Sequence, residues 1–599
     1  MLADIDSANN LVELFLRRAD AHRDQPFLGR KVGDAWQTIS WGEAADKVCA
    51  LAENLRRIGL DEGDRVALVA ENRPEWCVAD LGIMAAGCVT VPAYTTNTER
   101  DHQHILDNSG ARAVIVSNDK LAKPLIPAIM RTGIAEHIIP IDHIRSYQAG
   151  GLHCHAWSQM TQGDAQADRA AVDERLAGIG RERTACIIYT SGTGGAPRGV
   201  LQHHGMILCN VAGAAQVVAE DFGVGGDRFL SFLPLSHAYE HTAGQYLPIG
   251  LGAEIYYSEG LEKLSANIEE VRPTIMVVVP RLFEVLRTRI LKQVEKQGGA
   301  AQKLLHQALG LGARQAAGRT RFGDGVLDFA LERLLRPKIR AKFGGRMKAL
   351  VSGGAPLNPE VGTFFQAMGL TLLQGYGQTE SGPLISCNRP AAGVTMESVG
   401  PPLRGVEVRI AEDGEILCRG ELVMQGYWQN QPETGRALKD GWLHTGDIGH
   451  LDRGGRIVIT DRKKDMIVND KGDNIAPQKL EGMLTLQPEI GQAMVIGDKR
   501  PYIVGLLVPD AEWTAEWAEA NGKGASLAEL RDDAEFRTAL RAAVDRVNAD
   551  LSVTEKVRSF ALADEPFAIE NEEMTPSMKI RRHKIRERYG ARLDGLYKG

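Results

Sequence analysis

The chain has 599 residues, 44% of them hydrophobic and 25% charged, a composition that excludes a mainly disordered or fibrous protein. At about 150 residues per domain, this length predicts several domains rather than one hydrophobic core. The 70 basic and 77 acidic residues give a formal net charge of −7, so we expect no nucleic-acid partner.

Neither a secretory signal nor a membrane-spanning segment is predicted. Residues 1–20 contain acidic side chains and lack the apolar core of a signal peptide. No run approaches the about 20 apolar residues of a membrane helix. The eight cysteines are scattered without a CxxC pair, which fits reduced thiols. We therefore expect a cytoplasmic protein, and nothing in the sequence indicates its oligomeric state.

Short β-branched runs alternate with helical patterns over the first 350 residues. In residues 43–59, the apolar Val48, Leu51 and Leu55 follow helical spacing. Continuously apolar runs are typical of strands buried on both faces. They cover residues 66–70, 113–116, 186–189, 255–257, 274–279 and 349–352. This alternation predicts an α/β fold, with parallel, doubly wound sheets in a large N-terminal domain.

The pattern changes in the second half of the chain. A long helical stretch covers about residues 285–345. From about residue 395 to 463, short glycine-rich, strand-like pieces predict a small β-rich subdomain, which would complete an N-terminal domain of residues 1–463. Helices and strands then alternate over residues 464–599, which predicts a separate C-terminal α+β domain.

A glycine-rich loop follows the strand predicted at residues 186–189. Glycines let backbone N–H groups approach an anion, and hydroxyl groups add donors. The loop contains Thr190, Ser191, Gly192, Thr193, Gly194 and Gly195, and Arg198 adds a positive charge behind it. The GxxxxGK[ST] pattern of a Walker A loop is absent. We interpret the loop as a phosphate site of another type, with a plain turn of small residues as the alternative.

This loop resembles that of the acyl-adenylate-forming superfamily, which includes acyl-CoA synthetases, luciferases and peptide-synthetase adenylation domains. The family loop usually reads YTSGTTGxPKGV, and here Gly194 and Arg198 replace its Thr and Lys. Arginine keeps the charge of lysine but exchanges a compact ammonium for a planar fork. Further family motifs follow in family order: LPLSHAYE at 233–240, SGGAP at 352–356, QGYGQTE at 374–380, GWLHTGD at 441–447 and DRKKD at 461–465.

The resemblance implies how the adenine ring and the metal would be bound. Tyr376 would stack on adenine, and Glu380 would bind the Mg²⁺ of MgATP, which needs few protein ligands because it keeps waters and phosphate oxygens. Thr190 is a second candidate metal residue. The remaining nucleotide-binding candidates of these motifs are Gly353, Gly354, Ala355, Gln374, Gly375, Gly377 and Thr379.

The other implied roles concern the ribose, the hinge and the reacting groups. Asp447 would accept hydrogen bonds from the ribose hydroxyls, and Arg462 would add a ribose or phosphate contact. Lys464 stands where the family has its domain hinge, about which the C-terminal domain would be mobile. Lys579 would stabilise charge on the α-phosphate, and His237 would line the acyl pocket near the reacting carboxylate.

Within the superfamily, the chain looks most like the long-chain fatty acyl-CoA synthetases. The segments at 279–284 and 474–478 and the helical stretch to Gly345 carry this likeness. It implies that a fatty acid, ATP and coenzyme A are substrates, with acyl-AMP as the intermediate. Two alternatives stay open: a ligase that stops at acyl-AMP or loads an acyl-carrier protein, and a catalytically impaired sensor of acyl groups or nucleotides.

An apolar stripe with interspersed basic residues lies in the same helical stretch. The stripe contains Leu327, Leu331, Leu334, Leu335 and Ile339. Packing against the large domain is the favoured hypothesis, because basic amphipathic helices are common on soluble proteins. Peripheral contact with an anionic membrane is the alternative hypothesis.

Overall fold

The computed structural model describes residues 1–145, 152–190, 196–316, 318–319, 321–575 and 579–598. Its large N-terminal part contains two mixed sheets. The strands of the first lie in the order Ser386–Cys387, Leu372–Tyr376, Ala349–Ser352, Ile275–Val278, Arg228–Ser231, Glu254–Tyr257, Pro26–Val32 and Ala35–Ser40. Those of the second lie in the order Gly426–Tyr427, Arg198–His203, Thr184–Thr190, Val89–Pro92, Arg65–Val69, Ala113–Val116, His137–Pro140 and His153–Cys154.

Most interior strands of the two sheets are parallel and buried, as their continuous apolar runs predict; Arg198–His203 is an antiparallel exception. All residues of Val89–Pro92, Ala113–Val116 and Ile275–Val278 are buried. The sheets are not parallel throughout, however, because hairpins add antiparallel strands at the edges. Thr184–Thr190 pairs antiparallel with Arg198–His203, so the strands before and after the glycine-rich loop run in opposite directions.

Helices pack around the two sheets and share their core. The helix predicted at residues 43–59 is observed at Trp41–Arg57, where Ser40 and Glu43 form a capping box at its N-terminus. The other helices of this part are Leu2–Ser7, Leu11–Ala21, Pro74–Ala85, Glu99–Ser109, Asp119–Thr132, Trp157–Met160, Ala165–Leu176, His204–Phe222, Ala238–Glu240, Leu247–Leu251, Leu264–Val271 and Pro359–Ala367. A π-helix covers His241–Tyr246, and 3₁₀ turns cover Thr379–Ser381 and Pro390–Ala392.

The long helical stretch consists of consecutive helices, at Pro280–Gln297, Gly299–Ala316, Asp324–Leu334 and Arg336–Lys342. Most of the predicted apolar stripe packs against the protein: Leu331 is fully buried, and Leu327, Leu335 and Ile339 join the same core. Leu334 is exposed. Among the described helices, none combines the length and the apolar composition needed to cross a membrane.

A β-rich subdomain follows the two sheets, as predicted. Its strands are Glu407–Ile410, Glu415–Arg419, Trp442–Leu451, Leu438–Lys439 and Ile457–Arg462, and the helix Gln431–Ala437 precedes the short strand. The long antiparallel pair Trp442–Leu451 and Ile457–Arg462 aligns Asp447 with Arg462. This register brings together two site candidates that are 15 residues apart in the sequence.

The C-terminal part has an α+β arrangement of its own. Its main sheet consists of Ile490–Ile496, Ile503–Pro509 and Val557–Leu562, and a small sheet pairs Ile467–Val468 with Asn474–Ile475. Its helices are Pro477–Leu484, Ala511–Ala520, Leu527–Leu530, Ala534–Ala549 and Arg582–Gly595. A buried ion pair between Arg582 and Glu481, with N···O distances of 2.7 and 2.5 Å, joins the last helix to the first. The fold is thus an α/β protein with a small β-rich subdomain and a C-terminal α+β domain.

Candidate active site

Asp447 is buried between a tyrosine and an arginine. The Tyr376 hydroxyl donates a hydrogen bond of 2.8 Å to Asp447 Oδ2, and the Arg462 Nε lies 3.4 Å from Oδ1. Burial raises the pKa of Asp447 above its ordinary value, while the Arg462 charge and the Tyr376 hydrogen bond act against this rise. Tyr376 is buried as well, at the end of the strand Leu372–Tyr376. The carboxylate is therefore held in place before any nucleotide binds.

Glu380 is also buried, in the 3₁₀ turn that follows the same strand. The Tyr427 hydroxyl donates a hydrogen bond of 2.7 Å to its Oε1. Among the described residues, no hydrogen bond or ion pair of the protein reaches Oε2. One oxygen of this carboxylate is thus fixed, and the other is left for a ligand.

Arg198 does not pair with Glu380. Its guanidinium lies 2.6 Å from Glu433 Oε2 and 4.4 Å from the centre of the Tyr427 ring. A planar guanidinium can make both contacts at once, whereas a lysine ammonium would favour one. Arg198, which is predicted from the sequence to face phosphate, is therefore held against the ring of Tyr427, the residue whose hydroxyl orients Glu380.

The predicted phosphate loop is described only at its two ends. Thr190 ends the strand Thr184–Thr190 and pairs in register with Arg198 across the hairpin. Five of its predicted phosphate-binding residues lie outside the described residues: Ser191, Gly192, Thr193, Gly194 and Gly195. The ends nonetheless fix where the loop leaves the sheet, next to Tyr427 in the neighbouring strand.

His237 caps a short helix and is neutral. Its Nδ1 accepts a hydrogen bond of 3.1 Å from the Tyr239 backbone N–H, so Nε2 carries the hydrogen. Burial and the positive charge of Lys579 lower the pKa of His237 to about 4. The Tyr239 hydroxyl in turn donates to the Val351 carbonyl at 2.7 Å. A side chain at Gly353 would lie 2.7 Å from the Tyr239 ring, so only glycine allows this packing.

The other residues predicted to bind the nucleotide also make contacts within the protein. The Gln374 side-chain amide donates to the carbonyls of Met396 and Ser398. A Cβ at Gly377 would lie 1.9 Å from the Pro383 carbonyl oxygen. Thr379 accepts a hydrogen bond on its carbonyl from Gln202. The remaining candidates are Gly354, which has a positive φ of 81°, exposed Ala355, and Gly375, which packs under Leu384.

Lys579 enters the site from the C-terminal domain. Its backbone N–H donates to the Thr575 hydroxyl at 3.1 Å, and its carbonyl accepts from the Thr575 N–H at 2.8 Å. Part of the Lys579 side chain is exposed to solvent, but protein groups surround it and displace much of the water around its ammonium. This burial, together with the Arg462 charge, lowers the pKa of Lys579 to about 8, while the carboxylates of Asp447 and Glu380 oppose the shift.

The predicted hinge lies at an exposed turn. Lys464 is exposed and follows the strand Ile457–Arg462. Its neighbour Lys463 forms ion pairs with Asp413 and Glu415 at 2.5 and 3.0 Å. Asp461 Oδ2 accepts a hydrogen bond of 3.3 Å from the Gln478 N–H, at the start of the first C-terminal helix. Burial raises the pKa of Asp461 to about 6.

Three supporting residues were missed by sequence reasoning: Tyr427, Glu433 and Tyr239. Tyr427 lies 47 residues beyond Glu380 and reaches it because the strand Gly426–Tyr427 pairs with the hairpin around the phosphate loop. Only strand register reveals that neighbourhood. Tyr239, by contrast, stands within the recognised motif at 233–240, where its aromatic side chain was a signal that could have been followed.

Two models of known families match the sequence. The model described as AMP-binding enzyme matches residues 15–428, and that of the AMP-binding enzyme C-terminal domain matches residues 464–599. This chain belongs to the adenylate-forming AMP-binding enzymes. A long-chain-fatty-acid–CoA ligase of Mycobacterium tuberculosis, FadD15, is 33% identical over 96% of this chain and 95% of its own. The peroxisomal long chain acyl-CoA synthetase 6 of Arabidopsis thaliana is 30% identical, over 96% and 84%.

Solved structures of other AMP-binding enzymes share the fold. The adenylation domain of a carboxylate reductase from Mycobacterium chelonae aligns with a TM-score of 0.75 at 20% identity, covering 100% of this chain and 93% of that one. The anthranilate CoA ligase AuaEII, solved with anthranoyl-AMP, aligns with a TM-score of 0.73 at 20% identity over all of both chains. At this identity the likeness shows the α/β fold alone.

Proposed function

We propose that this AMP-binding enzyme activates a long-chain fatty acid with ATP and transfers the acyl group to coenzyme A, releasing AMP and pyrophosphate. The convergence of Asp447, Glu380 and Arg462 around Lys579 carries the proposal. These groups come from motifs far apart in the chain, and each acts on the pKa of Lys579. The long-chain ligases among its relatives, which align over almost the full chain, support the choice of substrate.

The first step would be attack of the fatty-acid carboxylate on the α-phosphorus of ATP. A carboxylate oxygen forms the new P–O bond, and the bond to pyrophosphate breaks. Lys579 would stabilise the negative charge that grows on the α-phosphate, which is catalysis by positioning and charge rather than by a protein nucleophile. With its lowered pKa, Lys579 is still mostly protonated at neutral pH.

Asp447 and Arg462 would hold the ribose. The Asp447 oxygens would accept hydrogen bonds from the ribose hydroxyls, and Tyr376, which fixes the carboxylate, would stack its ring on the adenine. Neutral His237, with hydrogen on Nε2, would donate to the fatty-acid carboxylate without adding a competing charge. The neutral imidazole also leaves Lys579 as the principal cation near the reacting oxygens.

Glu380 fits one Mg²⁺ bound together with ATP. Its Oε2 has no partner in the described part of the chain, and a hard oxygen ligand of this kind suits Mg²⁺. When bound, the ion would neutralise phosphate charge and favour departure of pyrophosphate. Tyr427 keeps the carboxylate in one orientation, which is the contribution of this chain to the metal site.

The second step would transfer the acyl group from AMP to a thiol. Acyl-AMP is a mixed anhydride. The coenzyme A thiol would lose its proton to water and attack the acyl carbonyl carbon, so that a C–S bond forms, the acyl C–O bond breaks and AMP leaves with that electron pair. Movement of the C-terminal domain about Lys464 would withdraw Lys579 and admit the thiol. The exposed turn at Lys464 suits such a hinge, and Asp461 contacts the Gln478 N–H at the start of the first C-terminal helix.

The test measures release of AMP and pyrophosphate over fatty acids of graded chain length, with and without coenzyme A. We expect multiple turnovers only when a long-chain acid and coenzyme A are both present. Acyl-AMP formation that coenzyme A does not accelerate would indicate a carrier-protein acceptor or a ligase that stops at acyl-AMP. No turnover with any acid would overturn the enzymatic proposal in favour of a sensor.

A further inference from the structure

A helix of the long helical stretch carries apolar side chains on two opposite faces. On the inner face of Asp324–Leu334, Leu331 is fully buried and Leu327 packs against the core. On the outer face, Val326 and Phe329 are 75% and 63% exposed. Phe322, two residues before the start of the helix, is fully exposed, and these three residues form what we term the outer apolar face. Clustered exposed aromatic residues of this kind mark an interaction surface.

The acidic residues of this helix are all engaged with arginines. Asp324 lies 2.5 Å from Arg314, and Asp328 lies 2.9 Å from Arg336. Glu332 pairs with Arg340. No carboxylate is therefore left unpaired on the helix beside the outer apolar face.

Basic residues beside the outer apolar face are free of such partners. Within the described residues, Arg319, Arg321 and Arg333 form no salt bridge, and all three are exposed. Arg333 lies over the Phe329 ring at 5.2 Å, and Arg321 precedes Phe322 in the chain. Residues 314–342 contain eight arginines and lysines against three acids, in a protein whose net charge is −7. This surface is therefore locally positive.

We propose that the outer apolar face docks on a lipid bilayer with anionic headgroups. Phenylalanine rings enter the boundary between headgroups and acyl chains, and arginine guanidiniums bind lipid phosphates bidentately. Anionic lipid attracts the basic residues, whereas a second copy of the same face would repel them. The residues involved differ from the predicted apolar stripe, which mostly packs inward.

The location has a consequence for the proposed substrate. Long-chain fatty acids partition into bilayers, so a docked enzyme would collect its substrate from the membrane instead of from water. That consequence rests on the proposed function. The docking itself rests only on the surface and needs neither ATP nor turnover.

The experiment measures co-sedimentation of the full-length protein with vesicles. One set contains phosphatidylcholine alone, and the other contains phosphatidylcholine with phosphatidylglycerol. We compare wild type with Phe322→Ser/Phe329→Ser and with Arg319→Gln/Arg321→Gln/Arg333→Gln. The matched control is Leu261→Gln/Val553→Gln, which also removes two exposed apolar side chains but elsewhere on the surface. Thermal melting checks that each variant is folded.

We expect wild type and control to bind the anionic vesicles, with binding weakened by added salt because exposed charges are screened. Each surface variant should bind on the order of tenfold more weakly, since stable attachment needs the apolar and the basic contributions together. Equal binding by folded wild type and variants, or no wild-type binding to anionic vesicles, would overturn the proposal. A wild-type dimer that the phenylalanine variant abolishes would also overturn it, because the occupant would then be a second copy. Loss of vesicle binding with full acyl-CoA synthesis from a long-chain acid supplied in detergent, without vesicles, would separate docking from catalysis.

Discussion

The two carboxylates of the site, Asp447 and Glu380, are both buried, and each accepts a hydrogen bond from a different tyrosine. They differ in the nearest cation. Arg462 lies 3.4 Å from Asp447, whereas Arg198, the cation behind Glu380, is paired with Glu433 instead. Among the described residues, Asp447 thus has an arginine that partly balances its charge, whereas Glu380 forms no ion pair.

This difference matches the ligands we propose for them. A carboxylate that is already balanced suits neutral ribose hydroxyls, since it needs no further positive charge. A buried carboxylate without a cation of its own is costly unless a ligand supplies the charge, which suits Mg²⁺. On this proposal Glu433 supports the site together with Tyr427, because its ion pair engages the Arg198 guanidinium.

Lys579 interacts electrostatically with both carboxylates, so its loss should have the largest effect. We expect Lys579→Ala to slow acyl-AMP formation roughly a thousandfold, the upper range for removing one preorganised stabiliser of developing charge. Thioester formation from supplied acyl-AMP should stay near wild type. Single-turnover assays of the two half-reactions measure this, with Lys584→Ala as the control for a basic residue of the same domain. Equal loss in both half-reactions would refute the assigned role.

Glu380→Gln should weaken Mg²⁺ binding without removing the proposed ribose contacts of Asp447. Gln keeps the shape and the oxygen that Tyr427 contacts but removes the charge, so we expect a roughly hundredfold loss of acyl-AMP formation. The apparent affinity for Mg²⁺ should fall with it. Titration with Mg²⁺ at saturating ATP gives the result, and Glu421→Gln is a control at an exposed glutamate. An unchanged Mg²⁺ dependence would mean that the ion binds elsewhere.

Asp447→Asn should weaken ATP binding and leave Mg²⁺ binding unchanged. A hydrogen bond to a charged group contributes about 2 kcal/mol, so we expect the KM for ATP to rise roughly thirtyfold. With 2′,3′-dideoxy-ATP, wild type and variant should become nearly equal, because the lost partners are the ribose hydroxyls. The same penalty with both nucleotides would show that Asp447 contacts another part of ATP.

Alkaline pH should weaken acyl-AMP formation through Lys579. Its pKa is lowered to about 8, and only the protonated ammonium stabilises the α-phosphate, so the stabilising charge is present below pH 8 and is lost above it. The rate should therefore fall about tenfold per pH unit above 8. Thioester formation from acyl-AMP should lack this decline. A flat profile for the first half-reaction from pH 7 to 10 would contradict the assignment.

The smallest effect is expected for Tyr427→Phe. Losing one hydrogen bond of about 1 kcal/mol should weaken the apparent Mg²⁺ affinity about fivefold. Tyr376→Phe, the matched change beside Asp447, should leave the Mg²⁺ titration unaltered and raise the KM for ATP instead. Equal responses of the two variants would show that the two carboxylates are not separate in function.

Much of the fold could be predicted because buried strands leave a direct mark on the sequence. The run Ala113–Val116 is wholly apolar since both of its faces are covered, and its bounds are those predicted. The antiparallel edges could not be predicted, because the direction in which Thr184–Thr190 pairs with Arg198–His203 is decided by tertiary packing. Hydrophobic patterns do not encode strand direction.

The identity of a site residue could be predicted where it belongs to a family motif. Its contact partner could not be predicted, because tertiary structure determines that contact. Asp447 and Arg462 were both named, yet only the strand register puts them 3.4 Å apart. Gln374 was named as a nucleotide residue, but its amide serves the carbonyls of a neighbouring loop. The role of Glu433 in holding Arg198 depends on a contact between residues 235 positions apart in the sequence.

Fatty-acid-dependent exchange of labelled pyrophosphate into ATP tests the central claim most directly, because it reports reversible formation of acyl-AMP without any thiol. We predict exchange only when Mg²⁺ and a fatty acid are both present, and its loss in Lys579→Ala. The absence of exchange with acids of every chain length, or exchange that persists in Lys579→Ala, would contradict the account.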